Sequence, residues 1–307
     1  MPRVCVIGSA NVDWSVALAR LPRPGETVTD GSLVRGLGGK GANQAVAARR
    51  LGAEVRFLGG VGSDSSGAEI RARLAKEDID VEGLVTVDGV ATGTALICVD
   101  AEGRNQIAVA PGANHRVSVE AMMPHAASLA WAQVVICQLE IPLSVVQWAL
   151  GEARRGGALT ILNPAPVRDL DSTLLALVDY LTPNEGEAGR LDGSEVTDPP
   201  SARGAAERLR ARGAGTVIVT LGGQGALVCG PDGPAHYPGF PVPVVDTTAA
   251  GDAFNGALAA GLAAGGTIEQ ALPLANAAGA LACGARGAQD SLPGRRDVER
   301  FLASINR

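Results

Sequence analysis

With 307 residues, of which 46% are hydrophobic and 3% aromatic, the chain can bury a sizeable core as one large α/β domain or two smaller ones. A net charge of −6 without a basic block excludes a nucleic-acid or anionic-membrane surface, and no apolar run approaches the roughly 18 residues that span a membrane. The cysteines Cys5, Cys98, Cys137, Cys229 and Cys283 form no C-x-x-C pair, so neither a zinc site nor a disulfide framework is indicated and a reduced, cytoplasmic setting is expected.

The first predicted element is a buried parallel strand from Val4 to Gly8, too short for a signal peptide. It delivers Asn11 and Asp13 to its carboxyl end, where open α/β sheets bind ligands; two residues apart on extended backbone, they share a face. Trp14 to Leu18 alternates, a second strand-like stretch covers Thr27 to Arg35, and Thr94–Val99 with Asn105–Val109 flank the turn Asp100-Ala101-Glu102-Gly103 as an antiparallel hairpin. These pieces interrupt a β-α-β rhythm and predict a small sheet standing off the main body, as a lid over a site or an edge used for dimerisation.

Gly36-Leu37-Gly38-Gly39-Lys40-Gly41-Ala42-Asn43-Gln44-Ala45 is a flexible glycine turn opening an amphipathic helix that runs to about Leu51. Gly41 follows Lys40 where a Walker A loop needs Ser or Thr, so that motif is excluded; Lys40 and Asn43 are instead candidate donors to a polar ligand. Three later strands end in polar side chains: Val134–Leu139 in Glu140, Leu159–Leu162 in Asn163, and Tyr180–Thr182 in Asn184. Singly these are turn or cap residues; together on one rim they mark a site. Asn184 and Glu187, three apart at a helix start, form either a capping box or a pair orienting water around Mg²⁺. Pro199-Pro200 reads as a surface loop. Val217–Thr220 leads through Leu221-Gly222-Gly223-Gln224-Gly225 into another strand, which rules out a dinucleotide fold. None of His115, His125 and His236 has ligand spacing.

Val244–Ala257 organises the chain. An apolar run breaks into small residues and enters a helix near Gly251, with Phe254, Leu258 and Leu262 on its buried face. Amides at such a start lack partners and the helix dipole is positive there, so an anion can sit against it. Asp252 in the first turn either caps the helix or exchanges a proton with a group attacking a bound phosphate. Beyond Gly265, a helix to about Ala282, the loop Cys283–Leu292 and a terminal helix to about Ile305 are expected.

Gly39-Lys40-Gly41-Ala42-Asn43-Gln44-Ala45, with Gly52 and Gly62 downstream, resembles the first signature of the PfkB carbohydrate kinases, and Asp246-Thr247-Thr248-Ala249-Ala250-Gly251-Asp252 resembles their second. Asn11-Val12-Asp13, Gln138-Leu139-Glu140, Asn163-Pro164-Ala165-Pro166, Thr182-Pro183-Asn184-Glu185-Gly186-Glu187 and Gly287-Ala288-Gln289-Asp290-Ser291 make the likeness nearest to the ribose kinases of that family. At Ala249 the wider family usually has Gly, whereas the ribose kinases tolerate Ala.

The resemblance implies one domain over 1–307, a three-layer α/β/α sandwich with a mostly parallel sheet, and a β lid drawn from about 14–35 and 94–110. It implies ATP-dependent phosphorylation of ribose at O5, with fructose, 2-deoxyribose or a nucleoside as alternative acceptors and a non-catalytic sugar sensor as an alternative class. Asp252 is then the base, the amides of Ala249, Ala250 and Gly251 the anion hole, and Asn11, Asp13, Gly38, Gly39, Lys40, Gly41, Asn43 and Glu140, together with Asp252 itself, the sugar site. Thr220, Gly222, Gly225, Gly251 and Asn276 are implied at the nucleotide, with Asn184 and Glu187 orienting Mg²⁺. Asp246, Thr248, Ala282, Ala285, Gly287 and Ser291 are implied around K⁺, and a homodimer is implied through the lids.

Overall fold

The computed structural model describes residues 1–305, so the last two positions of the expected 1–307 domain lie outside the described residues. In chain order the strands are β1 (Arg3–Ile7), β2 (Asn11–Ala17), β3 (Ser32–Gly38), β4 (Glu54–Gly62), β5 (Leu84–Val87), β6 (Gly93–Val99), β7 (Asn105–Ala110), β8 (Val134–Cys137), β9 (Leu159–Leu162), β10 (Tyr180–Leu181), β11 (Thr216–Thr220), β12 (Ala226–Gly230) and β13 (Gly233–Tyr237). The helices are α1 (Lys40–Arg50), α2 (Ser65–Lys76), α3 (Val119–Met122), α4 (Ala126–Trp131), α5 (Leu143–Arg155), α6 (Ser172–Leu175), α7 (Glu185–Asp192), α8 (Pro199–Ala211), α9 (Ala250–Ala263), α10 (Ile268–Ala282) and α11 (Arg295–Ile305).

Nine strands form the main sheet in the order β13-β12-β11-β10-β9-β8-β1-β4-β5, parallel except where β12 and β13 turn back as a hairpin. Successive residues of a strand face opposite layers. Val4 and Val6 therefore pack with Val46, Phe254 and Leu258 beneath α1, α9 and α10, while Cys5 and Ile7 pack with Val146, Leu150 and Leu209 beneath α5 and α8. Two helical layers around a sheet buried on both faces explain why the central strands are continuous apolar runs.

The second sheet, β3-β2-β6-β7, stands apart as anticipated, but its limits differ. The strand expected over Thr27–Arg35 is Ser32–Gly38, because pairing of Asn11 with Gly38 and Asp13 with Gly36 sets its register. Gly36–Gly38, read as a flexible turn, therefore belong to β3. β2 starts at Asn11 rather than Trp14, which places Asn11 and Asp13 on the lid itself. The strand expected to reach Leu139 ends at Cys137. Pro199 and Pro200 are not loop: they occupy the first positions of α8, where a missing N–H breaks no helical bond, behind Asp198 as cap. No helix among the described residues is long and apolar enough to cross a membrane.

Candidate active site

The carboxyl ends of β1, β8, β9 and β10 meet the N-termini of α1 and α9. The entry to α1 is tight: Gly39 has φ +88°, and a Cβ on Gly41 would lie 2.6 Å from the Ser9 amide nitrogen. Side chains are excluded there, so the helix start seats directly on the turn after β1. Ala42 N–H donates to Ser9 C=O at 2.9 Å. Glu140 is held against the same turn by the Ser9 hydroxyl and by the Lys40 amide, the latter at 3.1 Å. Asn11 accepts from Asn114 Nδ2 at 2.7 Å, and Asn114 Oδ1 takes the Ala10 amide at 3.0 Å.

The N-cap of α9 is Ala249, which adopts the left-handed conformation (φ 60°, ψ 9°) and offers no capping side chain. Among the described residues, the Gly251 and Asp252 amides have no acceptor. Asp252 does not cap its helix. Its carboxylate is buried and accepts from Asn43 Nδ2 and Gln44 Nε2, each at 2.9 Å. Unpartnered amides and a fixed carboxylate thus share one helical turn, an arrangement suited to an anion.

The electrostatics knit this region together. Burial pushes Asp252 above the usual carboxylate range, opposed by the Lys40 charge and the two amide donors. Burial, with Glu140 and Asp252 nearby, lifts Asp13 to about 6. Burial acts to lower the Lys40 ammonium, yet Asp252, Glu140 and Glu187 together hold it above its ordinary value. One cation amid four carboxylates is a cluster suited to polar ligands, since each group is already poised to exchange hydrogen bonds.

Asn184 and Glu187 do form a capping box, Glu187 N–H to Asn184 Oδ1 at 2.8 Å and Asn184 N–H to Glu187 Oε2 at 2.9 Å. Burial raises the Glu187 carboxyl. Its other oxygen accepts from no protein group among the described residues, so the box leaves one acceptor free. Thr220 bridges to Asn184 across the sheet end, and Gly222 and Gly225 sit at positive φ in the turn that follows. Asn276 commits both amide protons to Tyr237 and Pro238 carbonyls at 3.1 Å, tethering the end of β13.

The 283–292 loop folds onto Asp246. Asp246 accepts from Thr248 N–H and Oγ1 through one oxygen and from Gly287 N–H at 3.0 Å through the other. Burial alone would raise this carboxyl; the hydrogen bonds and Arg286 hold it below its usual range. Arg50 fastens the far side of the loop through the carbonyls of Gln289 and Leu292, at 2.8 and 2.7 Å. Ser291 Oγ closes onto Ala288 C=O. Arg50, Asn114, Ser9 and the buried Asn255 received no role from the sequence; Gln44 and Gln138 did so only as letters in a motif.

The pfkB family carbohydrate kinase profile matches residues 1–295. The chain is 41% identical over 297 residues to a ribokinase of Haemophilus influenzae, covering 97% of each, and 35% identical to a deoxyribokinase of Salmonella typhi, covering 98% of each. It superposes on the Arabidopsis thaliana ribokinase solved with ribose and ATP with a TM-score of 0.90, at 31% identity and 98% coverage of both chains.

Proposed function

This chain belongs to the pfkB family of carbohydrate kinases, and from that premise we propose that it transfers the γ-phosphoryl group of ATP to the 5-hydroxyl of D-ribose. The observation that carries the reading is the first turn of α9, where unpartnered amides and the buried Asp252 carboxylate lie together beside Lys40 and the lid residue Asp13. Phosphoryl transfer needs positioning and charge stabilisation more than covalent chemistry. The sugar is held by Asn11, Asp13, Lys40, Asn43 and Glu140 with the Gly38–Gly41 backbone. Asp252 accepts the hydroxyl proton, and the Ala249, Ala250 and Gly251 amides take the charge developing on the transferred oxygens.

Glu187 and Asn184 would hold Mg²⁺ through water, and the metal supplies charge neutralisation on the phosphates. Asp246 and Thr248, with the carbonyls of Ala282, Ala285 and Gly287 and with Ser291, would hold a K⁺ ion, a reading supported by the hydrogen bonds that draw Thr248 and Gly287 onto the Asp246 carboxylate. Thr220, Gly222, Gly225 and Asn276 line the nucleotide. The exposed lid residues Leu33, Val34, Leu96, Ile107 and Val109 support a homodimer through the lids; a monomer by light scattering overturns that assembly.

The test is ADP release with Mg·ATP over D-ribose, 2-deoxyribose, fructose and adenosine, with and without K⁺. Ribose is expected to give the highest kcat/KM, with stimulation by K⁺. Preference for 2-deoxyribose would move the acceptor assignment and keep the mechanism, whereas silence on every acceptor would favour a sugar sensor.

Asp13 supplies a further expectation. Its folded pKa of about 6 lies above its unfolded value, so the folded state holds a proton that the unfolded chain has released. Stability therefore rises as pH falls from above 6 toward the unfolded value, while sugar binding weakens over that window as the acceptor charge is lost. Asp13→Asn should raise the melting temperature at alkaline pH and flatten this dependence. It should also raise the ribose KM roughly tenfold or more, as for a lost charge-assisted hydrogen bond. An unchanged KM would remove Asp13 from the sugar site.

A further inference from the structure

We propose that Gln44 is the positioning residue for Asp252, acting as the hub of a buried hydrogen-bonded chain that joins the proton acceptor to the anion-binding turn. Gln138 Nε2 donates to Gln44 Oε1 at 2.6 Å. Gln44 Nε2 divides its protons between Asp252 Oδ1 at 2.9 Å and Asn163 Oδ1 at 3.1 Å. Asn163 Nδ2 donates to Thr182 C=O at 3.1 Å, Thr182 Oγ1 to Asn255 Oδ1 at 2.7 Å, and Asn255 Nδ2 to Gly251 C=O at 2.8 Å. The chain thus starts just past the carboxyl end of β8 and ends on the residue before Asp252.

All six side chains are buried, with Gln44 and Gln138 fully so. The donor pattern runs one way. Gln138 donates to the Gln44 oxygen, and the Gln44 NH₂ faces the acceptor-only carboxylate of Asp252. Asn43 presents an NH₂ to the other carboxylate oxygen, so the protein offers Asp252 donors only. A donor cage favours the carboxylate over the acid and fixes its orientation, so that Asp252 is held ready to accept a proton. Gln44 is fully buried with its amide committed to protein groups, so it acts through Asp252, whose other charged neighbours are Lys40, Asp13, Glu140 and Glu187.

The inference rests on Asp252 as the proton acceptor, and the test separates the two. Gln44→Leu removes the donor at similar volume, and Gln44→Glu keeps the length and the acceptor for Gln138 while placing a second acidic oxygen against Asp252 Oδ1. For each, kcat and ribose KM are measured across the acidic limb of the pH profile, with melting temperature as the control for folding. Gln44→Leu is expected to lower kcat about tenfold or more, as misorientation of a reacting group does, with ribose KM nearly unchanged. The acidic limb should move to higher pH, further in Gln44→Glu, which also carries the test if the leucine variant fails to fold. A limb that stays in place in Gln44→Glu, or a loss confined to KM or melting temperature, overturns the proposal. If Asp252→Asn itself turned over normally, the base assignment would fail; if Asp252→Asn is inactive and both Gln44 variants are normal, only the positioning role fails.

Discussion

Asp252→Asn is expected to lower kcat by roughly 10²- to 10⁴-fold, the range associated with loss of a positioned general base, while ribose KM stays within about threefold of wild type. The structure makes this substitution interpretable. In the native site two amide donors, Asn43 Nδ2 and Gln44 Nε2, each face one carboxylate oxygen at 2.9 Å. An asparagine presents one oxygen and one NH₂, so one native donor would meet another donor. Asn43 can resolve the conflict, because its own Oδ1 is buried without a partner and a half-turn of its amide would accept from the new NH₂. Removing a buried charge also relieves the desolvation that raises Asp252. The variant should therefore fold and bind ribose by calorimetry, leaving kcat to report proton acceptance alone. In the native enzyme kcat should fall as pH drops through the raised Asp252 pKa, and the residual rate of the variant should lack that limb. A native-like kcat in the variant would remove Asp252 from the role.

Much of the architecture is written locally. The runs at Val4–Ile7 and Val134–Cys137 are apolar because both sheet faces are covered, and the Phe254, Leu258, Leu262 spacing marks one face of α9. The Asn184–Glu187 capping box follows from residues three apart. Local sequence and structure part company where strand pairing decides. Thr27–Asp30 carries strand-like residues, yet the lid strand begins at Ser32, since β2 selects its partner from Asn11 onward and that opening, Asn-Val-Asp, is too polar to look like a strand. Gln44 illustrates the other limit. Its partners Gln138, Asn163 and Asp252 are 94, 119 and 208 positions away, so the sequence holds the letters of the buried chain without their adjacency. Arg50 likewise reaches the 283–292 loop from the end of α1 across 239 and 242 positions.

Gly256→Val is expected to damage both stability and turnover, because this glycine sets how closely α9 lies on α1. A Cβ at position 256 would meet Ala47 Cβ at 2.4 Å, Ala48 N at 2.8 Å and Gln44 O at 2.8 Å. Two of those atoms are helix backbone and cannot rotate away, so α9 must lift from α1. Overpacking of this kind destabilises by about 1–3 kcal/mol. The functional consequence follows from helix geometry: Asp252 lies one turn before Gly256 on α9, and its partner Gln44 lies one turn before Ala48 on α1. Separating the crossing lengthens the 2.9 Å bonds that fix the carboxylate, and displacement of a reacting group by about 1 Å lowers rates by up to roughly 10²-fold. Gly256→Ala should show the same direction at smaller size. Gly151→Ala on α5 is the control, since a Cβ there meets nothing within 4 Å, and replacing a helical glycine should leave kcat unchanged and add about 0.5–1 kcal/mol. Denaturant melts and kcat for the set decide the matter. Wild-type stability and turnover in Gly256→Val would mean that the crossing yields without disturbing Asp252, whereas a loss of stability with intact kcat would confine Gly256 to packing.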